Sequence, residues 1–123
     1  MGEAVTTTQI ASLVRRWFDQ AQQASGPILP DGWFGGRPYD NIFLLEDVEV
    51  VDDMLMIHLS EDTTLSVARP RRGYVENSEL VLEDFDHATL RWKHYGGSEY
   101  HEKHFDSGQV RLAPPVGMTV TVE

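Results

Sequence analysis

The chain has 123 residues, a common size for one domain, and its hydrophobic content of 41% argues against disorder. Its formal net charge of −10 argues against a nucleic-acid partner, because such a field repels phosphate backbones. Cysteine is absent, which excludes disulfides and thiolate chemistry and fits a reducing cytoplasm, where we expect the protein to reside. No apolar run is long enough to cross a bilayer, so we expect one soluble domain over residues 1–123 and no membrane partner.

The clearest element is an amphipathic helix over about residues 6–25. Thr6 followed by Gln9 predicts a capping box at its start, and Gly26 before Pro27 predicts its end. Its apolar residues recur at the spacing of one helical face: Ile10, Leu13, Val14, Trp17, Phe18 and Ala21. We expect this face to pack on the core of the domain.

Residues 26–40, GPILPDGWFGGRPYD, form a predicted turn-rich loop. Three prolines and four glycines oppose regular structure there. The loop carries side chains that are unusual for a connection: Trp33, Phe34, Arg37 and Tyr39. Because long loops often carry function, these four residues are a candidate surface for a small ligand or a protein partner. Alternatively, the aromatic side chains plug one end of the fold.

From residue 41 to residue 123 the apolar pattern changes to the period of two that is typical of strands. The fold class predicted is α+β, mostly β, with the helix packed on an antiparallel β-meander that forms a small sandwich or barrel of about seven or eight strands. The predicted strands cover residues 47–50, 54–59, 63–69, 79–83, 88–95, 99–105, 109–112 and 118–122.

Asp52 and Asp53 predict a two-residue hairpin turn. The resulting register pairs apolar residues on one face, Val50 with Leu55 and Val48 with Ile57. On the other face it pairs Asp47 with His58, and a carboxylate in this position could orient a general base. No nucleophile beside this pair can be argued from the sequence, so a cross-strand ion pair is the preferred interpretation.

Residues 90–104 predict a second hairpin around Gly96 and Gly97. A two-residue loop pairs Arg91 with Glu102, whereas a four-residue loop pairs Lys93 with Glu102. Both registers place the same residues on the core face: Leu90, Trp92, His94, His101 and Phe105.

Three residues at the turn end of that face, His94, Glu99 and His101, are a candidate divalent-metal site. Two imidazoles and a carboxylate are a ligand set for zinc or non-haem iron, and cross-strand neighbours lie close enough to share an ion. The alternative is that these histidines lie at the wet rim of the sheet with no ligand. We expect no cofactor unless this set binds one.

The predicted function is that of a non-catalytic protein-interaction module. Acidic pairs near strand ends form a surface that would attract a basic protein partner, and self-association through the aromatic loop or an edge strand is the other contact considered. The alternative is a small-ligand or metal-binding protein, including a metal-dependent enzyme, that uses the histidine set or the loop. The one basic cluster, residues 69–72, is interpreted as a solvated loop.

Overall fold

A computed structural model describes residues 6–28, 42–60, 62–93, 98–115 and 117–121. These ranges contain one helix, α1 (Thr7–Ala21), and ten strands. No helix among them is both long and apolar enough to span a membrane. The strands are β1 (Ala24–Ile28), β2 (Ile42–Phe43), β3 (Leu45–Val51), β4 (Met54–Leu59), β5 (Thr63–Ala68), β6 (Arg72–Glu76), β7 (Glu79–Glu83), β8 (His87–Lys93), β9 (Tyr100–Phe105) and β10 (Gln109–Ala113).

The strands form two antiparallel sheets of five strands each, and these sheets do not close into a barrel. Sheet A has the order β2-β1-β10-β7-β6, and sheet B has the order β3-β4-β5-β8-β9. The chain begins in sheet A with β1 and β2 and then forms β3, β4 and β5 of sheet B. It returns to sheet A for β6 and β7, to sheet B for β8 and β9, and ends in sheet A with β10. The predicted α+β, mostly β architecture is therefore confirmed, in its open two-sheet form.

Seven of the eight predicted strands occur, with ends that differ by two residues or fewer where they are described. Three further strands, β1, β2 and β6, were not predicted. β1 occupies the start of the predicted loop, and the remainder of that loop, residues 29–40, lies outside the described residues.

One apolar core lies between α1 and the two sheets. Alternate residues of β4 are buried in sheet B, for example Leu55 and Ile57, as the period of two predicts, whereas β7 in sheet A buries three consecutive residues, Leu80, Val81 and Leu82. Trp17 from the helix is fully buried in the same cluster. The core therefore joins all three layers of the molecule.

The helix begins with the predicted capping box. The Gln9 N–H donates to Thr6 Oγ1 at 3.1 Å, and the Thr6 N–H donates to Gln9 Oε1 at 2.8 Å. The helix is shorter than predicted, because it ends at Ala21. Gln22 then adopts the left-handed conformation with a φ of 65°, and its N–H donates to the Phe18 carbonyl at 2.7 Å. This early end releases the next residues to form β1.

Helix α1 lies beside β3 and β6, which are edge strands of sheets B and A. Arg15 Nη2 donates to the Val48 carbonyl of β3 at 2.5 Å, and Trp17 Nε1 donates to the Ser78 carbonyl after β6 at 2.9 Å. The helix therefore covers one side of the two-sheet structure and protects two edges that would otherwise offer backbone groups to another chain.

The predicted strand over residues 118–122 does not form within the described part, which ends at residue 121. Side chains hold this segment instead. Gln20 donates to the Thr121 carbonyl at 2.6 Å and accepts from the Thr121 N–H at 3.0 Å, while the Val120 N–H donates to Ser78 Oγ at 3.0 Å. The amide of Gln20 thus supplies the hydrogen bonds that a neighbouring strand would have supplied.

Replacing Gln20 by alanine should release this segment from the helix. The change removes two exposed hydrogen bonds, so we expect the free energy of unfolding to fall by about 1 kcal/mol and the Thr121 amide hydrogen to exchange faster by NMR. Gln23→Ala, at an exposed glutamine just beyond the helix, is the control and should change stability by less than about 0.5 kcal/mol. Unchanged hydrogen exchange at the Thr121 amide would contradict the role of Gln20 in holding this segment.

Candidate functional site

The predicted loop surface cannot be placed on the fold. All four of its residues lie outside the described ranges: Trp33, Phe34, Arg37 and Tyr39. Their role as a ligand or partner surface stays a prediction.

The predicted metal set is only partly described, because His94 lies outside the described residues. Glu99 is exposed, and His101 lies directly opposite Trp92 with 5.7 Å between the two ring centroids. This register is the one that a two-residue loop predicts. Within the described ranges no three histidine or acidic side chains are grouped to hold a metal ion, and the set that includes His94 stays a prediction.

The hairpin of β3 and β4 concentrates negative charge at one edge of sheet B. Its turn residues Asp52 and Asp53 have φ values of 51° and 61°, the left-handed pair that a type I′ turn needs, and its strand pairing follows the predicted register. Five carboxylates lie within eight residues, and we call them the acidic hairpin: Glu46, Asp47, Glu49, Asp52 and Asp53. Four of them are exposed, and Glu49 is partly exposed.

Two large apolar side chains are exposed within the acidic hairpin. Val50 is 36% exposed and Val51 is 47% exposed. They are adjacent in a strand, so they lie on opposite faces of the hairpin. A partner on either face of the hairpin would therefore meet one exposed valine beside the exposed carboxylates.

His58 is held between two side chains on the outer face of sheet B. Its Nε2 lies 2.7 Å from Glu49 Oε2, and its Nδ1 lies 3.2 Å from Thr64 Oγ1. Asp47 is opposite His58 in the strand register, as predicted, but its Oδ1 accepts a hydrogen bond from the Val48 N–H at 2.9 Å. The predicted Asp47–His58 ion pair is therefore wrong. The diagonal Glu49 replaces it because its longer side chain reaches the imidazole.

A similar arrangement occurs on the same face, on β8 and β9. His104 Nδ1 lies 2.8 Å from Thr89 Oγ1, and His104 Nε2 lies 3.3 Å from Glu102 Oε1. This histidine side chain is 66% exposed, against 29% for His58. Arg91 lies opposite Glu102, as the two-residue loop predicts, at 3.8 Å.

The arginine cluster at residues 69–72 is paired with acidic side chains. Arg71 donates to Asp86 Oδ1 at 2.6 Å, and this hydrogen bond raises the pKa of Arg71 and lowers the pKa of Asp86. Arg72 lies 3.8 Å from Glu83. The cluster therefore fastens the turn between β5 and β6 to the acidic segment after β7.

A second charge network lies on sheet A. Arg111 donates to Glu79 at 2.9 Å and to Glu76 at 3.1 Å, and these hydrogen bonds raise the pKa of Arg111. Tyr74 forms a hydrogen bond with Glu83 that raises the pKa of the phenol. These contacts join β6, β7 and β10, and we interpret them as structural.

A scan against protein-family models and searches of curated proteins and of solved structures each found no match. The functional argument therefore depends on the residues themselves. Two features of sheet B stand out among those described: the acidic hairpin, with its exposed valines, and the chain of hydrogen bonds through His58.

Proposed function

We propose that this protein is a protein-interaction module that binds a basic partner through its acidic hairpin. The observation that carries the proposal is the exposure of Asp52 and Asp53 beside Val50 and Val51, in a chain whose net charge is −10. The carboxylates would attract lysine and arginine side chains, and the valines would add apolar contact area.

The charges of the acidic hairpin are close enough to act together. Residues two apart in a strand are separated by about 7 Å, which is less than the screening length of about 10 Å at 0.1 M salt. A basic surface approaching the hairpin therefore meets the field of several carboxylates at once. Such a field speeds association, and its effect falls as salt rises.

The two turn residues of the acidic hairpin differ from Arg71 and Arg111 in their internal contacts. Arg71 and Arg111 each bind carboxylates of their own sheet or turn. In contrast, Asp52 and Asp53 form no ion pair with any residue that the structure describes. Their charge is therefore available to a partner without the loss of an existing contact.

Neutralising the turn should test the proposal without disturbing the fold. In the double variant Asp52→Asn, Asp53→Asn, each asparagine keeps the size of aspartate and tolerates the left-handed backbone. We expect capture of partners from a cell lysate on the immobilised protein to fall about tenfold, because two of the five carboxylates are lost. Binding to the parent protein should weaken steeply as salt rises from about 0.05 to 0.5 M.

The matched control is the double variant Asp62→Asn, Asp84→Asn. Both aspartates are exposed and left-handed, with φ values of 58° and 56°, so the control has the same change in charge and in backbone chemistry. It should capture partners like the parent protein. Equal losses of capture in the two double variants would show that only net charge matters and would contradict a site at the acidic hairpin. Capture that does not change with salt concentration would contradict an electrostatic partner surface.

A further inference from the structure

We propose that Thr64 and His58 form an acyl-transfer site on the outer face of sheet B, which hydrolyses small activated esters through an acyl-Thr64 intermediate. This activity goes beyond the proposed protein-binding function and does not depend on it. The sequence offered a carboxylate beside His58 but no nucleophile, and the pairing of β4 with β5 supplies one by placing Thr64 directly opposite His58.

The hydrogen bonds around His58 orient the imidazole as a base. The carboxylate of Glu49 accepts hydrogen bonds only, so the Nε2 that lies 2.7 Å away carries the proton. Nδ1 is then the acceptor for the Thr64 hydroxyl at 3.2 Å. A nucleophile in contact with a base that a third group orients is the usual arrangement for activating a hydroxyl. Glu49 acts through the imidazole and is a positioning residue.

Arg91 lies directly opposite Thr64 in the pairing of β5 with β8, but its charge is held on the other side of β8. Its guanidinium lies 3.8 Å from the centroid of the Tyr100 ring and 3.8 Å from Glu102, and both of these residues are on β9. Arg91 therefore joins β8 to β9 and takes no part in the proposed chemistry.

The reaction needs only the ester and water. Thr64 Oγ1 attacks the carbonyl carbon while its proton passes to His58 Nδ1, which gives a negatively charged tetrahedral intermediate. Collapse breaks the bond to the leaving alcohol or phenol, which takes the proton from His58, and leaves an acyl ester on Thr64. Water then attacks that ester with His58 as base, which releases the carboxylic acid and restores the hydroxyl.

The second arrangement, through His104, is the weaker candidate. Its histidine is more exposed, at 66% against 29% for His58, and its carboxylate is more distant, at 3.3 Å against 2.7 Å. The second arrangement therefore provides a control that differs from the first in burial and in the distance from the carboxylate to the imidazole.

The substrate class follows from the shape of this face. Within the described residues the site lies on the outer face of sheet B, next to the small side chain of Ser66, and the His58 side chain is 29% exposed. A site on a sheet surface has little binding energy to spend, so it needs esters with good leaving groups. We expect hydrolysis of p-nitrophenyl acetate by the full chain on the order of 100-fold faster than by a variant that lacks the base.

Variants of the two arrangements test the proposal. Thr64→Val removes the nucleophile at constant shape and His58→Gln removes the base, and we expect both to lose the ester hydrolysis, while Thr64→Ser retains it. Thr89→Val and His104→Gln should keep the rate of the parent protein. Mass spectrometry of an acid-quenched reaction should find an acetyl group on the peptide that contains Thr64.

Two outcomes would overturn the proposal. If Thr64→Val keeps the full rate and His58→Gln loses it, the imidazole alone is the catalyst and no acyl-Thr64 forms. If all variants and the parent hydrolyse the ester equally, the hydrogen bonds of His58 are structural only. Circular dichroism on each variant separates lost activity from lost fold. None of these variants changes Asp52 or Asp53, so failure here leaves the capture experiment on the acidic hairpin unaffected.

Discussion

Replacing Trp17 by alanine should lower the free energy of unfolding by about 3–5 kcal/mol, the largest effect that we expect from one substitution. The indole is fully buried between the helix and the sheets, and its ring meets Phe18 edge-on at a centroid distance of 5.0 Å. Truncation would leave a cavity in the core and remove the hydrogen bond from Nε1 to the Ser78 carbonyl at 2.9 Å. Chemical denaturation followed by circular dichroism measures the loss.

Two further variants separate the causes of the Trp17 effect. Trp17→Phe keeps most of the apolar volume but leaves the Ser78 carbonyl without its donor, so we expect a loss of about 1–2 kcal/mol. Leu44→Ala truncates a large side chain that is 50% exposed, and it should cost less than about 0.5 kcal/mol. If Trp17→Ala cost no more than Leu44→Ala, the helix would not be part of the core that the structure shows.

Local rules predicted the parts of the fold that are set by neighbouring residues. The capping box at Thr6 needs only residues three apart, and it forms as predicted. The turn at Asp52 and Asp53 sets the register of β3 and β4 as far as Asp47 and His58, and an irregularity beyond Asp47 shifts the last pair, Leu45 with Leu59. The alternation of side chains also predicted which residues of β8 and β9 face the core, because a two-residue loop and a four-residue loop place the same residues on each face.

The parts that depend on distant residues could not be predicted. Strand β6 contains Gly73 and follows an arginine-rich segment, a composition that predicts a loop. Residues 72–76 form a strand because β7 pairs with them and α1 packs against them. The helix ends at Ala21 because Gln22 takes the left-handed conformation, which glycine adopts more readily. Local rules therefore predicted the end of the helix at Gly26, the nearest glycine in the sequence. Residues 118–121 have strand-like alternation, but distant side chains bond their backbone: Gln20, 101 residues away, bonds Thr121, and Ser78 bonds Val120.

The same division applies to the candidate sites. Composition and turn chemistry were enough to predict an acidic surface, and the structure locates one acidic edge on β3 and β4. The contact between His58 and Thr64 depends on the pairing of β4 with β5, whose connecting turn has no strong sequence signal. The sequence predicted Asp47 as the partner of His58; Glu49 lies on the same face opposite Met56, and its longer side chain is the one that reaches the imidazole.

Replacing Gly73 by valine should destabilise the protein by about 3 kcal/mol, the second largest effect that we expect. A β-carbon at this position would lie 3.3 Å from Ile10 Cγ1 and Cγ2 and 3.3 Å from Leu13 Cδ2. Ile10 is buried and β-branched, so it has little freedom to move away. The added side chain would therefore push α1 away from β6. Gly73→Ala should cost less, about 1 kcal/mol, because one methyl group displaces the helix less.

A double variant shows whether the contact with the helix is the cause. Ile10→Ala alone should lose stability because it leaves a cavity, but it also makes room at Gly73. The combination Gly73→Val, Ile10→Ala should therefore be more stable, by about 1–2 kcal/mol, than the sum of the two single losses predicts. Strict additivity would mean that valine at position 73 acts on β6 alone. A positive coupling would show that close approach to the helix explains why glycine lies within this edge strand.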